Sequence, residues 1–165
     1  MQRTPIALRT LVACAVLAAG MMTGCKPEPE GELGESFDKV KGLTGTWQLT
    51  SFTQQDLNSP VKEVRDLSSF YIDGNVTPLQ LTFNADRTYT IALERGKNYF
   101  GEGGTWGFDD EAFPSYIHLF SGEDTLVYDL GAMVREFDQD MSIEYRRDCN
   151  GTATVIYTFS FTRIN

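Results

Sequence analysis

The sequence predicts an all-β fold, an up-and-down antiparallel barrel of about eight to nine strands with one short helix or flap after the first strand. Three observations carry this. From Thr44 onward, apolar and polar residues alternate with period two, in a composition rich in Thr, Tyr, Phe, Val and Ile, which is the mark of half-buried strands. Turn residues break the alternation at short, regular intervals. The segments follow one another as hairpins, and closing such a meander into a barrel removes its exposed edges.

The first strand is expected near Thr46 to Thr53. A long connection, Gln55 to Pro78, follows. Within it Ser59-Pro60 reads as a helix start, with Ser as N-cap and Pro at the first helical position. Val61, Val64 and Leu67 recur at threes, with Phe70 and Tyr71 just beyond, so a short amphipathic turn is expected. Connections this long in a compact domain are usually functional, and this one is read as a flap over the barrel mouth. The clearest strand pair comes next: Leu79 to Phe83, a turn at Asn84 to Arg87, then Tyr89 to Leu93. Further strands are expected at Gly104 to Phe108, Tyr116 to Ser121, Thr125 to Leu130, Ala132 to Phe137, Met141 to Arg147 and Thr152 to Arg163. Asp138-Gln139-Asp140 marks a tight reversal. Asn150-Gly151 is the strongest hairpin signal, because both residues tolerate the positive φ of a type I′ turn.

The N-terminus carries an address. Arg3 and Arg9 precede the apolar run Leu11 to Met22, which ends in Met22-Thr23-Gly24-Cys25. This is the layout of a bacterial secretory signal closing on a lipidation site at Cys25. The run is shorter than the roughly 20 apolar residues that cross a bilayer. Residues 1–24 are therefore read as signal peptide, residues 25–42 as a lipidated tether rich in Pro, Gly and Glu, and residues 43–165 as the barrel. The implied location is the cell envelope, as an outer-membrane lipoprotein facing the surface or the periplasm. The implied first partner is the membrane, through the anchor.

With 23 acidic against 14 basic residues the chain has a formal net charge of −9, and loss of Arg3 and Arg9 makes it more negative. Nucleic acid and anionic membrane surfaces both demand clustered Lys and Arg, so neither is expected as a partner of the body. Of the three cysteines, Cys14 leaves with the signal and Cys25 is spent on lipid. Cys149 remains, between an acid and a turn, and reads as an inert thiol.

No catalytic, metal or nucleotide motif stands out, and no cofactor is expected. His118, the only histidine, alternates against Ile117 and Leu119 and reads as structural. The acidic groups Asp109-Asp110-Glu111, Glu123-Asp124 and Asp138-Gln139-Asp140 fall in turns, where Asp is favoured for conformational reasons alone. Trp47, Phe83, Tyr89, Trp106, Phe108, Tyr145, Tyr157, Phe159 and Phe161 supply bulky inward side chains. Small barrels are either packed solid by such residues or hold one ligand. For a ligand, the candidate contacts are Val64, Leu67, Phe70 and Tyr71 from the flap, with Tyr89, Trp106 and Tyr157 from the strands. Tyr99, Phe100, Phe113 and Tyr116 lie in or beside loops, where aromatic rings stack on sugars or dock proteins.

Gly45-Thr46-Trp47, opening the first strand, resembles the lipocalin or calycin pattern. Arg163 strengthens the likeness. Ala153, Val155, Tyr157, Phe159, Phe161 and Arg163 share one face, and in lipocalins a late arginine packs across the first-strand tryptophan at the closed end. Gly45, Trp47 and Arg163 are thus the structural signature that the resemblance implies. The whole chain is similar to lipocalin-like lipoproteins of Bacteroidetes, through the lipobox, the acidic tether, Leu43 to Trp47, Leu81 to Thr90 and the second Gly-Thr-Trp at Gly104 to Trp106. Arg87 stands where related sequences usually have Gly. In that phylum acidic residues after the lipidated cysteine resemble a surface-export signal, and Lys26 to Glu30 is similar. The resemblance implies a fold and a location, without an activity.

Two functional readings follow. One is a non-enzymatic binding module whose hollow barrel holds a small apolar or amphipathic ligand. The other is an interaction protein with a packed core, whose loop aromatics contact a glycan or an envelope protein.

Overall fold

A computed structural model describes residues 37–164. The signal segment, Cys25 and the tether up to residue 36 lie outside the described residues. A five-residue helix, α1 (Lys39–Leu43), comes first, with the Asp38 carboxylate capping the backbone N–H groups of Val40 and Lys41. Nine strands follow: β1 (Gly45–Asp56), β2 (Val64–Asp66), β3 (Gln80–Phe83), β4 (Thr88–Ala92), β5 (Gly104–Phe108), β6 (Tyr116–Ser121), β7 (Asp124–Leu130), β8 (Asp140–Cys149) and β9 (Thr152–Arg163).

Every neighbouring pair is antiparallel, and β1 pairs with β9. The sheet therefore closes into an eight-stranded barrel of β1 and β3 to β9, with β2 as one extra strand on the second half of β1. The expected up-and-down barrel is the fold observed. The β8–β9 hairpin turns at Asn150 (φ 52°) and Gly151 (φ 76°), the positive pair that a type I′ turn requires.

Side-chain parity explains the core. Trp47 and Leu49 face inward, and so does Phe52, which strict alternation would turn outward. The register slips between Leu49 and Ser51, so Thr50 is an extra residue, a β-bulge that restores the inward set beyond it. Met141, Ile143 and Tyr145 from β8 and Tyr157, Phe159 and Phe161 from β9 complete an aromatic interior. Phe159 is fully buried and its ring stacks 4.6 Å from Phe52. The barrel centre is thus packed with rings.

The closed end is tied by Arg163. Its guanidinium lies 4.4 Å from the Trp47 ring and donates hydrogen bonds to the carbonyls of Asp138 (3.2 Å), Thr44 (3.0 Å) and Gly42. The side chain expected to cover Trp47 does so. At the same end Arg87 keeps the left-handed turn (φ 67°) that a glycine would enter more easily. Its guanidinium stacks 4.5 Å from Trp106 and pairs with Glu111 at 2.8 Å.

Two expected elements are corrected. Ala132 to Phe137 is no strand: Arg135 and Asp138 close a turn on each other, Phe137 is exposed, and only Val134 is buried, its backbone packed against Gly42 of α1. Ser59-Pro60 starts no helix; Val64–Asp66 instead pairs with Gln55 to Thr53, because β1 runs on past β3 and offers an unpaired edge. The only helical turn in that connection is a 3-10 turn at Ser68–Phe70.

Candidate functional site

The end of the barrel opposite α1 is closed by a loop rather than by strands. Between β4 and β5 the chain bends inward and drives Tyr99 and Phe100 into the mouth. Glycines permit the path: Gly96 (φ 98°) lies flat on the Tyr71 ring, and Gly101 (φ 75°) sits where a Cβ would come within 2.5 Å of the Ser121 hydroxyl. Phe100 is buried, its ring 5.1 Å from Tyr128 and 5.0 Å from Phe159. Tyr99 sits one layer higher, half-buried, with Tyr157 at 5.3 Å, Phe159 at 5.5 Å, Phe52 at 5.8 Å and Tyr145 at 5.9 Å.

Tyrosine hydroxyls from three other segments bolt this plug. Tyr71 donates to the Lys97 carbonyl at 2.6 Å, Tyr128 to the Tyr99 carbonyl, and Tyr89 to the Phe100 carbonyl at 2.8 Å. Each bond satisfies a loop carbonyl that the barrel interior would otherwise leave dry. Burial pushes the Tyr71, Tyr89 and Tyr128 hydroxyls above the usual phenol value. Burial and the adjacent Tyr157 push Tyr99 up to about 12.

Two clefts flank the Tyr99 ring. One, of about 290 Å³, is lined by Lys97, Asn98, Tyr99, Leu126, Tyr145, Arg147 and Tyr157. It opens where β7 and β8 part company, since those strands pair only at Asp129↔Glu144 and Leu130↔Ile143. The other, of about 230 Å³, is lined by Phe52, Gln54, Leu67, Phe70, Tyr71, Lys97, Tyr99 and Tyr157. They share Lys97, Tyr99 and Tyr157, so they form one aromatic mouth divided by a single ring.

Of the candidate contacts, Leu67, Phe70, Tyr71 and Tyr157 meet in the second cleft. Tyr89 lies beneath the plug, Trp106 is buried at the closed end under Arg87, and Val64 is exposed on β2; none of these lines either cleft. The Gln55 to Pro78 connection is a wall of the mouth rather than a flap over it. It is stitched to β1 by Leu67 N–H donating to the Phe52 carbonyl and Phe52 N–H donating to the Ser68 hydroxyl. Phe100, expected as a free loop aromatic, is core, whereas Phe113 is 83% exposed and Tyr116 41%. His118 stands on β6 between buried Ile117 and Leu119, and so faces outward, away from the clefts. Among the described residues no cluster of His, Cys, Asp and Glu is arranged to hold a metal.

A protein-family model described as "Domain of unknown function (DUF5004)" matches residues 26–162. The chain belongs to the DUF5004 family. No curated protein and no solved structure matches it. The match begins just after Cys25 and ends one residue short of Arg163. This DUF5004 chain is an eight-stranded barrel with an extra strand. Sequence reading missed Lys97, Tyr99 as a divider and Arg147 as a lining cation. A signal existed for two of them: Tyr99-Phe100 lies between Gly96 and Gly101, and Arg147 is the next inward position after Met141, Ile143 and Tyr145.

Proposed function

We propose that this DUF5004 protein is a lipid-anchored, non-enzymatic binding module of the cell envelope, taking a small amphipathic ligand at the mouth of its barrel. The observation that carries the reading is the pair of aromatic clefts meeting at Tyr99. Ligand sites are typically concave and apolar with a few polar groups; the cleft at Phe52, Leu67, Phe70 and Tyr71 is mainly apolar, and the one that reaches Lys97, Asn98 and Arg147 adds the polar groups. The filled barrel centre moves the ligand from the interior, where the lipocalin resemblance would put it, to the rim. The lipobox ending at Cys25 supports anchoring, and Cys25→Ala is expected to release the chain from membranes into the soluble fraction. Continued membrane association of that variant would sink the anchor.

The binding reading is tested on the chain from Lys26 onward, which retains the whole barrel, by comparing native with denaturing mass spectra. A co-purifying mass is expected, together with uptake of a hydrophobic fluorescent probe, and both should diminish in Tyr99→Ala and Tyr157→Ala. The packed core and exposed Phe113 and Tyr116 favour a second reading, an interaction protein that contacts a glycan or envelope protein through loop aromatics. Absence of both bound mass and probe uptake would select it.

A further inference from the structure

The charge of the mouth is opposite to that of the protein. Among 165 residues, 23 are acidic and 14 basic, yet neither cleft is lined by a single acid in contact with Tyr99; the charged residues there are Lys97 and Arg147. Both are exposed, and what distinguishes them is that they border the clefts. Arg147 is on the inward parity of β8, following Met141, Ile143 and Tyr145, and opposite inward Val155 of β9. Its neighbour Arg146, on the outward parity, is the one that finds carboxylates, Asp129 at 2.5 Å and Glu144 at 3.8 Å. Lys97 lies with its ammonium 4.7 Å from the Tyr99 ring. Among the described residues neither Arg147 nor Lys97 is in a salt bridge.

We infer that the mouth selects an organic anion with a flat apolar body, its rings lying against Tyr99, Tyr145 and Tyr157 and its acidic group between Lys97 and Arg147. The inference rests on the mouth being the binding site. A cation left without a carboxylate beside aromatic surface is a preformed partner for carboxylate, phosphate or sulfonate, and Arg presents the planar donor fork that such groups fit. The shape of the site sets the body. Phe52, Phe100 and Phe159 fill the space beneath Tyr99, so a ligand lies across the mouth in clefts of about 290 and 230 Å³ instead of threading down the barrel. Entry is from the side, where β7 leaves β8 beyond Asp129↔Glu144.

The test pairs two probes with one ring system: anilinonaphthalene sulfonate and its uncharged parent, phenylnaphthylamine, titrated by fluorescence into the chain from Lys26 onward. The sulfonate is expected to bind at least about fivefold more tightly, an advantage that shrinks with added salt. Lys97→Gln with Arg147→Gln should erase the difference by weakening the sulfonate far more than the neutral probe, Arg147→Lys should keep part of it, and Tyr99→Ala should weaken both probes. Equal affinities, or a preference that salt leaves untouched, would overturn the anion inference while the binding site stands. These two comparisons use the unaltered protein, so a variant that fails to fold does not remove the test. If neither probe binds, the site and the inference fall together.

Discussion

Arg163 and Arg87 perform the same task with unequal support. Each lies over the tryptophan of a Gly-Thr-Trp triplet, at 4.4 Å from Trp47 and 4.5 Å from Trp106. Arg163 also serves three backbone carbonyls, joining the last strand to the α1 end and to the Asp138 turn. Arg87 has one exposed partner, Glu111, and Trp106 Nε1 has no hydrogen-bond partner among the described residues, whereas Trp47 Nε1 donates to the Leu43 carbonyl at 2.8 Å. Hydrogen bonds from a charged donor are worth about 1.5–3 kcal/mol and a partly buried cation–π contact about 1. Arg163→Ala is therefore expected to destabilise the barrel by about 3 kcal/mol, and Arg87→Ala by about 1, since alanine keeps the Cβ and leaves the left-handed cost of the turn unchanged. Urea midpoints measure both. Equal losses would show that the carbonyl bonds of Arg163 contribute nothing beyond the stacking. Probe binding at the mouth should be unaffected in either variant, since both arginines sit at the closed end.

At the level of elements, the plug between β4 and β5 is the part whose order depends on borrowed bonds. The carbonyls of Lys97, Tyr99 and Phe100 are each held by a tyrosine hydroxyl from another segment. Tyr128→Phe keeps the stacked ring on Phe100 and deletes one donor, so the cost is that of a buried carbonyl left unpaired, about 1–2 kcal/mol. Amide exchange at Phe100 and Glu102, whose N–H groups bond to Asn98 Oδ1 and Ser121 Oγ, is expected to accelerate while β8 and β9 amides hold. Uniform acceleration across the sheet would mean that the plug is no separate opening unit. The same contrast explains what could be read beforehand. Leu79 to Leu93 and Thr152 to Arg163 announce themselves because alternation is written in side-chain chemistry. The Thr50 bulge does not, since it is fixed by the register against β9. Ala132 to Phe137 mimicked a strand, but its partners are α1 and its own turn. Ser59-Pro60 had local helix chemistry, and the free edge of β1 outweighed it. Tyr99 and Phe100 looked like loop residues because only the closed barrel reveals that their loop folds inward.

The whole molecule carries its polar groups asymmetrically with respect to pH. On the acid side, Asp66, Asp73, Asp86 and Asp109 are held below the usual carboxylate value by turn hydrogen bonds, from Ser68, Asn75, Thr88 and Tyr116 foremost. Their contribution is present above an unfolded value of about 4 and fades as pH falls. All four are solvent-facing, so this limb is shallow. On the alkaline side, burial holds the Tyr71, Tyr89, Tyr99 and Tyr128 hydroxyls above their ordinary value, Tyr99 at about 12. Above pH about 10 the unfolded chain has lost these protons while the folded barrel still keeps them, so the folded state binds more protons and stability falls as pH rises. Because three of the four hydroxyls are the plug's bolts, the alkaline loss falls on the mouth as well as on the core. Melting temperature should hold through neutral pH and drop steeply past pH about 10, with tyrosinate absorbance from these four residues rising only as the barrel unfolds. If those residues ionise near the ordinary phenol value with the fold intact, then water reaches the hydroxyls and the mouth is open to the core.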